Sequence, residues 1–239
     1  MVKKILKQTA QGYDLISQKF FATRQHVWPE LKELSRLAKP GDKVLDFGCG
    51  GGRLLEVLPD GIEYHGLDIS SRLLSLAREK YLDKGKNKGK KQRKISFHYQ
   101  PATSKRLPWP DNYFDLIYSI AVFHHLPSRR YRQEVLMELK RVLKPNGRLV
   151  LTVWNLWQPR YRRYLWQNWW QKLTGKSKLD WRDCHIPFRD NQGNVFQRYH
   201  HAFTKRELRK MLQQAGWQVE KIENSRKRNL TIIGRNIQN

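Results

Sequence analysis

Residues 43–53 read KVLDFGCGGGR, an apolar β-branched run that drives into a chain of glycines. Such a strand-to-loop junction is built for open α/β sheets, where a sharp backbone bend at a strand end approaches a ligand closely. Two phosphate-binding patterns fail on inspection. Counting from Gly48, the sixth position of a G-x-G-x-x-G fingerprint is Arg53, where close helix packing needs a small residue, and no Gly-Lys-Ser/Thr follows. A second apolar run, YHGLDIS, ends in Asp68, 20 residues beyond Gly48. A carboxylate there can accept hydrogen bonds from two ribose hydroxyls, so the pattern points to a nucleoside without a phosphate chain.

Strand and helix patterns alternate around this loop. Residues 43–47, 63–67, 95–99, 114–119 and 148–154 read as short strands. Helical faces lie between them. Pro29 opens one carrying Val27, Leu31, Leu34 and Ala38; Ser70 caps Leu73, Leu74, Ala77 and Tyr81; Ser128 caps Tyr131, Val135, Leu139 and Val142, ending at Pro145-Asn146-Gly147. Thr204 and Glu207 form a capping box ahead of Leu208, Met211 and Leu212, closing at Gly216. Two further strands, 218–223 and 230–234, are joined by so short a link that they form a hairpin. The expected fold is α/β: a seven-stranded, mostly parallel sheet with one antiparallel strand, helices on both faces and a helical insertion. One domain covers residues 1–239. It comprises an N-terminal substrate-side segment (1–40), a ligand-binding core (41–154), a basic aromatic insertion or lid (155–203), and a final helix and hairpin (204–239).

Charge narrows the partners. Lys and Arg number 47 against 21 acidic residues, a net charge of +26, which favours a polyanion. Residues 84–94, KGKNKGKKQRK, hold seven cations and no acid and read as an exposed basic loop. The insertion carries Trp157, Trp166, Trp169, Trp170 and Trp181 among arginines and lysines; the set serves either base stacking or the insertion's own core. Cys49 and Cys184 have no paired spacing, so neither a disulfide framework nor a metal site is expected, and a reducing, cytoplasmic setting follows. His200-His201 lacks a third ligand for a metal. No apolar run approaches a membrane span.

VLDFGCGGG with GLDIS, LPWPDNYFDLIYSIAVFHHL and ELKRVLKPNGRLVLTVW resembles the class I S-adenosylmethionine-dependent methyltransferases over roughly residues 40–155. The resemblance implies a Rossmann-like sheet and S-adenosyl-L-methionine as cofactor. It implies that Gly48, Gly50 and Gly52 line the methionine and adenosine, that Asp46 anchors the methionyl amino group, and that Asp68 holds the ribose. Ile69, Thr103 and Ser119 complete the implied cofactor set. Many relatives carry an acidic residue before LP for the adenine amino group; here the segment is ATSKRLP, leaving backbone or the Thr103 hydroxyl for that contact.

The flanks resemble a narrower group. YDLISQKFFATRQHVWPEL, SIAVFHHL, LTVWN and FQRYHHAFTKREL are similar to segments of the tRNA methyltransferases that esterify the carboxylate of 5-carboxymethyluridine at the wobble position. That implies an anticodon-loop partner. A carboxylate is ionised at neutral pH, so positioning rather than a strong base is needed. Arg24, His124, Arg198 and His201 are the candidates to grip the carboxylate and uracil edge, with Trp154 and Tyr199 as stacking faces. His124 is preferred over His125 as the site member. The resemblance also implies a small zinc-binding activator subunit pairing along a sheet edge. The lysine-rich run ahead of the strand at 95–99 counts against it, because charge opposes edge pairing. A small-molecule methyltransferase and a non-catalytic RNA-binding protein are the alternative functions.

Overall fold

The structure, a computed structural model, describes residues 1–23, 27–83, 94–101, 103–104, 106–190, 192–193, 195–225 and 227–237. Arg24 and nearly all of the expected basic loop lie outside the described residues. In chain order the strands are β1 (Lys43–Phe47), β2 (Glu63–Asp68), β3 (Lys94–Tyr99), β4 (Phe114–Ile120), β5 (Leu143–Trp154), β6 (Asp183–Arg189), β7 (Val195–His201), β8 (Trp217–Ser225) and β9 (Asn229–Asn236). The helices are α1 (Val2–Leu15), α2 (Ser17–Thr23), α3 (Pro29–Ser35), α4 (Ser71–Arg78), α5 (Arg129–Val142), α6 (Pro159–Leu173) and α7 (Lys205–Gln214).

Seven strands form one sheet in the order β3-β2-β1-β4-β5-β9-β8. β1 to β5 are parallel, and β9 runs antiparallel to both neighbours, as the short hairpin link requires. Alternating side chains give the sheet two buried faces. Leu45, Ile117, Leu149 and Leu151 point to one side, packing with Leu136 and Leu139 of α5 and Leu208 and Leu212 of α7. Val44, Leu116, Tyr118 and Val150 point to the other, against Leu31 and Leu34 of α3 and Leu74 and Ala77 of α4. Both faces are covered, so these strands read as continuous apolar runs.

The expected helix caps form. Ser70, Ser128 and Thr204 each accept a hydrogen bond from the backbone N–H three residues on. The capping box at Thr204 is only half made, because the Glu207 carboxylate turns instead to His201 and Arg182. β5 also begins earlier than its apolar run: Leu143 pairs with Phe114 before an irregularity, and Asn146 takes a positive φ of 62°.

The insertion departs from a helical lid. It holds one helix, α6, followed by the antiparallel hairpin β6–β7. Pro187 and the mixed polarity of DCHIPFR hide a strand, and a two-stranded ribbon tolerates Pro because one backbone edge is unpaired. Leu156, Leu165, Cys184, Ile186 and Ala202 form a separate small core beneath it. Trp157 and Trp169 are half-buried, whereas Trp166, Trp170 and Trp181 are 57%, 70% and 49% exposed, so the tryptophans divide between core and surface. Among the described residues, no helix is long and apolar enough to cross a membrane.

Candidate active site

The strand order reverses between β1 and β4, and their carboxyl ends open a crevice there, where α/β sheets place ligands. The cavity in that crevice is lined from β1 and its loop by Asp46, Phe47, Gly48, Cys49, Gly50 and Gly51, and from β2 by Asp68 and Ile69. From β4 it receives Ile120, Ala121 and Val122. Gly48 has φ +78°, and a Cβ built on it would lie 2.3 Å from Val122 Cγ2. Only glycine lets these two loops cross so closely.

Two carboxylates anchor the floor. Asp68 Oδ1 accepts from the Ser70 N–H at 2.8 Å and Oδ2 from the Gly50 N–H at 2.7 Å. Burial raises the Asp68 pKa above its usual range, opposed by those backbone bonds. Asp46 Oδ2 accepts from the Tyr64 hydroxyl at 2.8 Å. Burial pushes the Asp46 carboxyl up to about 7, against the Tyr64 hydrogen bond, with the Asp68 charge adding to the rise.

The roof comes from the N-terminus. Leu6, Thr9 and Tyr13 of α1, Phe20 and Phe21 of α2, and Trp28 all line the cavity. The roof is tied down where Asp14 accepts from Ser70 Oγ at 2.6 Å and from the Arg72 N–H at 3.1 Å. Tyr13 also reaches His125. The Tyr199 carbonyl can only accept, so His125 Nδ1, 2.8 Å from it, carries the proton, and Nε2 accepts from Tyr13 Oη at 2.8 Å. Burial holds the His125 pKa down at about 3, leaving a neutral ring fixed in one tautomer.

Of the residues expected to hold the cofactor, Asp46, Gly48, Gly50, Asp68 and Ile69 line this cavity. Gly52, Thr103 and Ser119 do not. Gly52 faces Tyr81 and Phe97, 2.9 and 3.3 Å from its built Cβ, so it serves packing. Ser119 is fully buried within β4, its hydroxyl unpartnered, and Ser104 lines the wall near Thr103.

The acceptor candidates sort differently. Trp154 lines the cavity, and so does His125 rather than the preferred His124. His124 is fully buried behind it, its Nδ1 accepting from the Trp154 N–H at 3.3 Å. Tyr199 is buried, and its backbone rather than its ring faces His125. His201 is held by both nitrogens, 2.7 Å from Asp183 and 2.8 Å from Glu207, which leaves none for an acceptor. Among the described residues, none of 155–203 lines the cavity, and the N-terminal segment forms its roof.

Behind Trp154 sits a group of unsatisfied polar atoms. The Arg198 guanidinium lies 5.4 Å from the Trp154 ring centroid and 5.1 Å from that of Phe188. Arg198 is 5% exposed, and its Nε and Nη1 have no hydrogen-bond partner. His124 Nε2 and His200 Nε2 are likewise unpartnered. Ligand atoms of His124, His125 and His200 lie within 4.8 Å of one another. Yet His124 and His200 stack at 5.1 Å with planes 6° apart, so their in-plane lone pairs run parallel instead of converging on a metal. Both His125 nitrogens are already engaged.

Several cavity residues escape sequence reasoning. Tyr13 of α1, Phe20 and Phe21 of α2, Leu107 ahead of β4 and Glu138 of α5 come from outside the glycine-loop motif and meet only in the folded chain.

Comparison with known proteins agrees with this geometry. Residues 45–151 match a family model described as a methyltransferase domain. The chain is 33% identical over 148 residues to a tRNA (carboxymethyluridine(34)-5-O)-methyltransferase of Arabidopsis thaliana, covering 62% of this chain and 33% of that protein. It is 30% identical over 169 residues to a ubiquinone/menaquinone biosynthesis C-methyltransferase UbiE of Burkholderia mallei, covering 68% of this chain and 64% of that protein. The chain thus spans less than two thirds of the length of either relative. Among solved structures, a SAM-dependent methyltransferase from Methanosarcina mazei superposes with a TM-score of 0.71 at 23% identity, covering 89% of this chain and 99% of that one. A Haloferax volcanii methyltransferase in complex with the Trm112 methyltransferase activator gives a TM-score of 0.67 at 18% identity, covering 97% and 98%. Sheet order, glycine crevice and the match over residues 45–151 thus agree on a methyltransferase domain with the fold seen in SAM-dependent methyltransferases.

Proposed function

We propose that this chain methylates the carboxylate of a 5-carboxymethyluridine-type wobble uridine in tRNA. The observation that carries this reading is Arg198, a buried guanidinium without a counter-ion among the described residues, in contact with a wall of the cofactor cavity. A buried unpaired cation costs several kcal/mol, about as much as breaking a buried pair. An acidic substrate offsets that cost. The activity for which the plant relative is named and the charge of +26 point the same way.

The cavity fits the cofactor. Asp68 keeps lone pairs beyond its two backbone bonds for ribose hydroxyls, and Asp46 Oδ1 is left for the methionyl ammonium. Bound there, S-adenosylmethionine supplies a sulfonium methyl that a carboxylate oxygen takes while the electron pair of the broken bond stays on sulfur. The chain's own contribution is placement. Tyr13, locked by His125, and Trp154 confine the acceptor side, and α1 and α2 exclude water. His124 accepts at Nδ1, so its proton sits on Nε2, and the ring, buried behind the cavity wall, backs that wall rather than reaching into it. Arg24 belongs to the same proposal on sequence grounds alone; Tyr199 and His201 serve it only by holding β7 beside Arg198, since the nitrogens of His201 are taken by Asp183 and Glu207.

We read the chain as active without an activator subunit. β3 is an edge strand, but the segment entering it is lysine-rich, and charge opposes pairing there. One observation favours a second reading, methylation of a small apolar ring compound as in the UbiE relative: Leu6, Leu31, Leu107, Leu126 and Leu139 make much of the cavity wall apolar. Mass spectrometry of nucleosides separates the two. A tRNA pool incubated with the purified chain and methyl donor is expected to convert carboxymethyl uridine to its methyl ester, with Arg198→Ala suppressing the gain and sparing donor binding. Turnover of small ring compounds with no tRNA methylation establishes the second reading.

A further inference from the structure

A second cleft opens on the other side of α1 from the cofactor cavity, between α1, α6 and the β6–β7 hairpin. At about 760 Å³ it is large enough for a ligand, small-molecule sites spanning ~300–1,000 Å³. Helix α1 is the common wall. Leu6, Thr9 and Tyr13 face the cofactor cavity, while Lys4, Gln8, Gln11 and Leu15, spaced by four, three and four, face the cleft. Gly12 allows this sharing, since a Cβ there would overlap the Phe196 ring at 1.9 Å, and Phe196 in turn meets Tyr13 edge-on at 6.4 Å.

The lining has an unusual chemistry. Gln8, Gln11, Gln167, Gln171 and Gln197 converge on the cleft, and among the described residues no acidic one lines it. Among the described residues, the side-chain amides of Gln8, Gln11, Gln167 and Gln197 have no hydrogen-bond partner. Tyr164, His185 and Phe196 add flat rings. On α6, Gln167 and Gln171 line the cleft, and the neighbouring Trp166 and Trp170 are exposed on the same helix. The stretch 155–179, which supplies the α6 wall, holds six cations and no acid.

Each class of partner leaves a different mark. A lipid surface calls for a continuous apolar face, and a purely electrostatic contact for lysines and arginines alone. Amides carry a donor and an acceptor side by side and so match base edges, while rings accept base faces and a cationic rim accepts phosphates. We infer that this cleft holds an unpaired base of the same RNA, outside the reacting uridine, as a recognition subsite. The inference rests on the tRNA reading above and deepens it: specificity for the loop comes from α1, α6 and the hairpin, while chemistry stays on the opposite side of α1.

The test uses the full chain and a fluorescein-labelled anticodon stem–loop RNA followed by anisotropy. Gln8→Ala/Gln167→Ala is expected to weaken stem–loop binding about tenfold or more, the order expected for losing one bidentate base contact. The slope of log Kd against log salt stays unchanged, because no charge is removed. Calorimetric affinity for S-adenosylmethionine and turnover of free 5-carboxymethyluridine nucleoside also stay unchanged. Wild-type binding with no loss in the variant overturns the subsite and leaves the substrate reading standing. Failure of the wild type to bind or methylate the stem–loop overturns the substrate reading, and the subsite with it.

Discussion

Asp46 is the group whose behaviour is most sharply determined by its surroundings. An ordinary aspartate loses its proton near 3.8, whereas Asp46 holds it to about 7 because burial disfavours the charge. Between those values the folded chain binds one proton more than the unfolded chain, so stability falls as pH rises through the window. The full gap amounts to about 4 kcal/mol, and the part lying between pH 5 and pH 8 to about 3 kcal/mol. Asp46→Asn keeps the shape and the bond from Tyr64 but cannot ionise, so it escapes this loss. In the absence of ligand, its Tm relative to wild type is expected to climb by roughly 5–10 °C from pH 5 to pH 8, at roughly 2–4 °C per kcal/mol for a chain of this size. Donor affinity moves oppositely. The ligand's positive charge needs the ionised carboxylate, so wild-type affinity drops as pH falls below about 7. The variant binds weakly at every pH. Differential scanning fluorimetry and calorimetry across this range read both effects. Melting curves of the two proteins that run parallel from pH 5 to pH 8 refute the reasoning, because Asp46 is then ionised in the free chain.

Three further outcomes follow from the same geometry. Arg198→Ala is expected to raise the KM for tRNA at least tenfold while the chain stays as stable as wild type or gains stability, since a buried unpaired cation is removed; a drop of several degrees in Tm with KM unchanged would show a structural role instead. His201 is pushed down by burial, but the Asp183 and Glu207 carboxylates outweigh this and hold it above its usual 6.5. Its pairing therefore stabilises fully below 6.5 and less as pH rises through the folded value, so His201→Gln is expected to cost about 1–3 kcal/mol at pH 6 and less at pH 9, measured by urea unfolding. Tyr13→Phe removes the bond to His125 and keeps the ring, so it is expected to lower kcat with the acceptor several-fold and to leave donor affinity within a factor of two, checked by single-turnover kinetics.

The division between what was legible early and late follows the range of the forces involved. Strands β1 to β4, the caps at Ser70, Ser128 and Thr204, and the glycine crevice with Asp46 and Asp68 are local: alternation, a hydroxyl three residues from an N–H, and a glycine bend act within a few positions. They stand in the sequence because their partners are near neighbours in the chain. The β6–β7 hairpin was masked by Pro187 and by polar residues that a two-stranded ribbon can leave in water. The choice between His124 and His125 was out of reach of sequence, because adjacent residues diverge, and only the turn after β4 aims one ring at Tyr13, 112 positions away. Arg198 shows the limit most plainly. Its residue type was visible, but its lack of a counter-ion is a sum over everything packed around it, and so is the cleft that α1 shares between its two faces. Short-range stereochemistry is written in the order of residues; burial and charge compensation exist only once distant segments close over one another.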